Sequence, residues 1–122
     1  MMDAFQIKRD TGLWYSVEYS SFTLGPETDK YRLNVFGFSG DAGDALAAPA
    51  DPDDNCNGMQ FSTKDQDNDM NSDGACASSY GGWWYNDCSR SKLTSKSEAR
   101  WHAETAENIR DVCFARMLVK LD

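Results

Sequence analysis

Three features of this sequence predict an α+β domain of short antiparallel strands joined by long loops. Residues 13–24 (LWYSVEYSSFTL) and 31–38 (YRLNVFGF) alternate apolar with polar side chains, and the pair Gly25-Pro26 supplies turn chemistry between them. Residues 62–90 then hold almost no aliphatic side chain and no period, and a loop of that length is functional or disordered. Residues 98–110 are helical by propensity, and residues 111–121 (DVCFARMLVKL) read as a final strand with Cys113, Ala115, Met117, Val119 and Leu121 on one apolar face.

The intervening segments complete the reading. Residues 39–57 turn to Gly, Asp, Ala and Pro and are expected to be loop, with one helical turn at 44–48, and residues 58–63 form a short strand. No repeat and no linker divides residues 1–122, so one small domain is expected, able to bury roughly two-thirds of its unfolded surface. Twelve basic against 20 acidic residues give a formal charge of −8, which argues against nucleic acid or an anionic membrane as partner. The longest small-apolar stretch, residues 45–50, is far too short to span a bilayer.

The segment KDQDNDMNSDGACASSYGGWWYNDC, residues 64–88, concentrates the chemistry. Asp65, Asp67, Asp69, Asn71 and Asp73 occupy every second position, with no lysine or arginine among them. Such like charge is either solvated or neutralised by a cation. Alternating carboxylates with carbonyls between them suit Ca²⁺, which takes six to eight oxygens, better than Mg²⁺, which keeps its waters. An EF-hand is excluded: counted from Asp65, its sixth and twelfth positions hold Met70 and Cys76, and counted from Asp69 the twelfth is Tyr80. Cys76 and Cys88 lie in a polar, glycine-rich stretch where a disulfide is favoured over metal ligation, since there is no CxxC and His102, the single histidine, is remote in sequence. The start, MMDAFQIKRD, lacks the apolar core of a signal peptide. A disulfide without an export signal leads to the expectation that the chain is part of a longer protein.

The run YRLNVFGFSGDAGDALA, followed by NGMQFSTKDQDND, a cysteine, GGWWYNDC, and preceded by VEYSSFTLG, closely resembles the fibrinogen C-terminal globular domain found also in ficolins, tachylectins, angiopoietins and tenascins. The resemblance is continuous from Tyr15 to Leu93, with 94–122 a divergent tail, and it implies that the amino-terminal half of the usual domain is missing. It implies a calcium loop with Asp67 and Asp69 as chelating carboxylates and two further ligands from backbone carbonyls that fall around Asn71 to Gly74, so that Asn71 and Asp73 join the candidate metal set. It also implies a Cys76–Cys88 bridge beside a pocket in which an acetyl group accepts hydrogen bonds from the N–H groups of Cys88 and Ser89, exposed by a cis peptide at Asp87–Cys88. Tyr80 would form one pocket wall, Trp83, Trp84 and Tyr85 would be structural, and Asn86 would bond the loop backbone. Cys56 and Cys113 match no bridge of the family.

This chain departs from the family pattern in the pocket. Ser89 stands where histidine is common, LTSKS replaces LNGxY, and RWHAETAENIR replaces an aromatic-rich stretch, with His102 expected in solvent beside Trp101. By resemblance the chain is a secreted, calcium-binding, lectin-like recognition module of innate-immune or matrix type. Its partners would be acetylated glycans or extracellular proteins, with oligomers forming through the missing amino-terminal region. The alternative is a structural or protein-interaction fragment with a degenerate pocket. Nothing pairs a nucleophile with a base, so no enzyme is expected. Alone, the chain is expected to be marginally folded.

Overall fold

The computed structural model describes residues 2–9, 12–48, 51–89, 91–95, 99–101 and 112–120. Its framework is an antiparallel sheet of four strands, in the spatial order β3-β2-β1-β8. β1 is Met2–Arg9, β2 is Trp14–Leu24, β3 is Leu33–Ser39 and β8 is Val112–Lys120. Two short ribbons lie beside the sheet: β4 (Phe61–Ser62) with β5 (Trp83–Trp84), and β6 (Ser91–Lys92) with β7 (Arg100–Trp101). One α-helix, α1, is Cys76–Tyr80, and 3₁₀ turns occupy Glu27–Asp29 and Pro52–Asp54.

The alternating patterns predicted the long strands closely. β2 begins one residue after the expected start, β3 two residues after it, and β8 lies within the expected 111–121. β3 starts late because the 3₁₀ turn after Gly25-Pro26 continues through Lys30 and Tyr31, both at positive φ (53° and 55°). The expected strand at 58–63 shrinks to Phe61–Ser62, because Gly58 and Met59 are spent pairing with Leu33. The helical turn at 44–48 is present as a single Ala48 N–H to Asp44 carbonyl bond of 2.9 Å. Of the helix expected at 98–110, Arg100–Trp101 is strand, and 102–110, including His102, lies outside the described residues. Arg100 and Trp101 are extended because they pair with Lys92 and Ser91, a tertiary contact that overrides propensity.

β1, which the sequence reading did not identify, is an inner strand: Ile7 pairs with Tyr15 on one side and Ala115 on the other. Ile7, Val17 and Tyr19 are buried on one sheet face, and Phe22, Leu33 and Val35 continue the core. The buried positions of β2 change parity between Tyr19 and Phe22, where Ser20 opposes Gly37. A Cβ on Gly37 (φ +76°) would lie 1.7 Å from Ser20 Oγ, so only glycine lets the strands approach there. The core extends through Ala42, Ala45, Leu46, Cys56, Trp83, Trp84, Tyr85 and Trp101.

Two buried rings bind the residue 41–48 loop to this core. Tyr19 donates its hydroxyl proton to Asp44 Oδ1 at 2.6 Å, and the same oxygen accepts from Ala47 N at 3.0 Å. Burial, then the neighbouring Asp44 carboxylate, pushes the Tyr19 phenol far above its ordinary value, so it remains a donor. Trp101 donates from Nε1 to the Gly43 carbonyl at 2.8 Å. Cys56 is buried and Cys113 exposed, and neither is in a disulfide.

Tyr19→Phe removes a charge-assisted donor and leaves Asp44 Oδ1 with one partner. The expected cost is about 1–3 kcal/mol in urea unfolding with an unchanged slope; an unaltered midpoint would show that this bond adds nothing to the fold.

Candidate functional site

The acidic segment folds as successive side-chain turns. Asp67 Oδ1 accepts from Asp69 N at 3.2 Å, Asp69 Oδ1 from Asn71 N at 3.0 Å, and Asn71 Oδ1 from Asp73 N at 2.9 Å. This repeat follows from the spacing, since Asp and Asn side chains bond the backbone two residues ahead. Asp65 is drawn away, accepting from Thr63 Oγ1 at 2.7 Å. The segment is anchored at both ends. Asn68 bonds Ser62 Oγ and the Phe61 carbonyl of β4, and Met70 N donates to the Asn86 carbonyl at 2.8 Å.

Asp69 joins this loop to the cysteines. Its second carboxylate oxygen accepts from Cys76 N at 2.8 Å, serving an orphan N–H at the start of α1, where Ala75 offers no side-chain cap. Cys76 is bonded to Cys88, with 5.7 Å between the Cα atoms, so the disulfide predicted from context and resemblance is present. Asn71 Nδ2 lies 3.7 Å from Cys88 Sγ, making a second link between loop and bridge.

Asp67 and Asp69 stand close enough to interact. Burial raises the Asp69 carboxyl above its ordinary 3.8; the Cys76 and Asn71 N–H groups oppose this, and the adjacent Asp67 carboxylate adds to the rise. Two carboxylates in contact, one of them half-buried, repel each other, and a bound metal ion would relieve that repulsion. Among the described residues no group of three or more His, Cys, Asp or Glu side chains gathers as a metal cage. The Asp67–Asp69 pair brings together two carboxylates, hard oxygen donors of the kind Ca²⁺ takes.

The expected pocket residues are placed differently from the resemblance. Among the described residues every peptide bond is trans, including Asp87–Cys88. A cis bond there would cost about 3–4 kcal/mol, whereas the trans chain closes a tight turn in which Asn86 N donates to the Cys88 carbonyl and Asp87 N to Asp53, at 2.8 and 2.9 Å. The Ser89 side chain is buried and directed inward, bonded to Ser91 and 3.0 Å from Cys56 Sγ. The Tyr80 ring is covered by the ammonium of Lys92, 3.3 Å from its centroid. Asp87 is exposed. Sequence reasoning missed Lys92, which follows Ser91 on β6 and meets Tyr80 only through tertiary folding.

Trp83, Trp84 and Tyr85 are core residues. Trp84 meets Phe22, Phe61 and Trp83 edge-on, and its Nε1 donates to the Tyr31 carbonyl at 3.0 Å. Asn86 does bond the backbone, through Nδ2 to the Asn55 carbonyl at 3.2 Å.

Comparison with known proteins places these features in context. A family profile described as the C-terminal globular domain of fibrinogen beta and gamma chains matches residues 4–113. The fibrinogen gamma chain of Mus musculus is 47% identical over 92 residues, covering 68% of this chain and 21% of that protein. Fibrinogen C domain-containing protein 1-A of Xenopus laevis is 40% identical over 89 residues, covering 72% of this chain and 18% of that protein. The chain thus spans about a fifth of the length of these relatives. Among solved structures, the fibrinogen-like globe domain of human ANGPTL6 superposes with a TM-score of 0.80 at 32% identity, over 98% of this chain and 57% of that one. A lamprey fibrin D-dimer complexed with the peptide Gly-His-Arg-Pro-amide gives 0.82 at 26% identity, over 95% of this chain and 44% of that one.

Cysteine chemistry should separate into two classes. Burial raises the Cys56 thiol, with Ser89 and Ser91 opposing, so it should resist alkylation until the protein unfolds. Non-reducing peptide mapping should recover Cys76 joined to Cys88, and the double change Cys76→Ser with Cys88→Ser should cost about 2–4 kcal/mol. Native labelling of Cys76 would contradict the assignment.

Proposed function

The chain belongs to the family of fibrinogen C-terminal globular domains, and from that membership we propose that it is an extracellular recognition module whose acidic loop binds Ca²⁺. The observation that carries the calcium reading is the double use of Asp69: one carboxylate faces Asp67 while bonding the N–H of disulfide-linked Cys76. Asp67 and Asp69 would hold the ion, with oxygens from Asn71 to Gly74 completing its coordination. When bound, Ca²⁺ would supply positive charge that offsets the carboxylate repulsion. The residues of this chain do the rest. Asp69 fixes the start of α1, and α1 carries Tyr80 toward β6.

Two ligand readings remain from the sequence, and particular observations bear on each. The lectin-like reading, with an acetylated saccharide received by the N–H groups of Cys88 and Ser89 beside Tyr80, rests on family membership and on the preserved disulfide. The other reading, a protein-interaction module without a small-molecule pocket, is favoured by the Lys92 ammonium over Tyr80, the inward Ser89 and the trans Asp87–Cys88 bond. The peptide held by the lamprey fibrin D-dimer makes an extended protein segment a reasonable ligand class.

Calorimetry on the oxidised protein should show one calcium site of Kd about 10⁻⁴–10⁻³ M, as in other extracellular modules. Asp67→Ala with Asp69→Ala should abolish that isotherm; an unchanged isotherm would overturn the assignment. Binding to the folded state alone adds about 2.7 kcal/mol at a hundredfold excess over Kd, so the melting temperature should rise clearly with calcium. Passage over acetylated resin separates the ligand readings. Retention with calcium and release by chelator would support the lectin-like one, and flow-through in both conditions would support the protein-interaction one.

A further inference from the structure

The sheet face opposite the core holds a feature unrelated to the calcium loop. Ile7 points into the core, so its neighbours Gln6 and Lys8 stand on the other face. Register places Trp14 and Phe114 on either side of Lys8, and Ser16 and Arg116 on either side of Gln6. Three strands distant in sequence thus bring two cations, two aromatic rings, an amide and a hydroxyl onto one patch.

These groups organise around the indole of Trp14. Lys8 Nζ and the Arg116 guanidinium carbon each lie 5.6 Å from its ring centroid, and Phe114 meets it edge-on at 5.6 Å. Each contact is within the range of cation–π and aromatic pairing. Gln6 Oε1 accepts from Arg116 Nε, fixing the guanidinium plane. Two ammonium-type charges sharing one ring repel each other, and the arrangement is completed most favourably by an anion. Beside it opens a cavity of about 310 Å³ lined by Gln6, Trp14, Tyr15, Ser16, Asp41 and Arg116. Among the described residues of this lining Asp41 supplies the carboxylate, and its Oδ1 is already engaged by Ser16 N at 2.7 Å.

We infer that this patch is a calcium-independent site for an acidic saccharide, one bearing sulfate or carboxylate groups. Arg116 and Lys8 pair with the anionic group. Trp14 and Phe114, both about half exposed, give apolar surface for the C–H face of a sugar ring, and Gln6 and Ser16 offer hydroxyl partners. The cavity is at the small end of ligand sites and suits one or two sugar units. The charge argument is sharpened by the rest of the chain. At −8 overall, the protein repels polyanions everywhere that cations are not locally gathered.

The test is titration of the oxidised protein with a heparin-derived tetrasaccharide and an oligogalacturonate, followed by Trp fluorescence and calorimetry at low salt with chelator present. At least one saccharide should bind, its affinity should fall as salt rises, and a tetrasaccharide both desulfated and carboxyl-reduced should be silent. The pair Lys8→Gln and Arg116→Gln, both exposed enough to keep the fold, should weaken binding by about tenfold or more, while Asp67→Asn with Asp69→Asn should not. That contrast separates failure here from failure of the calcium reading. No binding of either saccharide, an affinity unchanged in the Lys8/Arg116 variant, or tighter capture of a polyglutamate peptide of equal charge would each overturn the inference.

Discussion

Asp69 accepts two backbone N–H groups while standing against a second carboxylate, and this one side chain fixes the relation between the acidic loop and the disulfide. Oδ1 closes the turn to Asn71, and Oδ2 holds the N–H of Cys76 at the start of α1. A carboxylate receiving two such bonds is normally held well ionised, yet here burial outweighs them and raises its pKa. The loop is therefore locally complete in its hydrogen bonds and incomplete in its charge. A bound cation would offset that charge, and the covalent bridge links the loop to Cys88.

The scaffold around this junction is built from long-range contacts. Trp84 bonds the carbonyl of Tyr31, a residue held at positive φ, and packs on Phe22 and Phe61, so β5 ties the end of the β2–β3 connection to the loop that follows β4. Arg32 adds a second tie, a fork to Asp29 at 3.0 and 3.2 Å and a bond to the Gly58 carbonyl at 2.7 Å. Beneath them, the inner strand β1 carries β2 and β8 on its two edges. The acidic loop is thus mounted on a framework whose parts come from both ends of the chain.

What the sequence made legible is what is local. Alternation located β2 and β3, where Val17 and Tyr19, and Leu33 and Val35, keep a two-residue period of burial over part of each strand, and the largely apolar run of 112–119 located β8. The spacing of Asp67, Asp69, Asn71 and Asp73 pointed only to the charge it gathers, not to the side-chain turns it forms, whereas the context of Cys76 and Cys88 foretold their bond. β1 escaped because its apolar positions, Met2, Ala4, Phe5 and Ile7, do not alternate cleanly and one of its two partners, β8, lies far along the chain. Arg100 and Trp101 misled because pairing with β6 outweighs helix propensity. Lys92 on Tyr80 and Ser89 on Cys56 could not be read at all. Lysine and serine in a polar stretch signal solvent, and only the fold turns them inward. Those two contacts are also what moves the pocket away from the arrangement its family resemblance implied.

The central claim is that the Asp69 carboxylate couples the metal loop to the disulfide, and the Cys76 amide proton reports on it directly. Residue-resolved hydrogen exchange on the oxidised protein, without calcium and with it, measures that coupling. Cys76 N–H should be protected in the metal-free protein and exchange more slowly still when calcium is added, with Asn71 N–H following the same course. If the Cys76 amide exchanges at the rate of an unstructured loop in both conditions, Asp69 does not hold it and the loop and the bridge are independent.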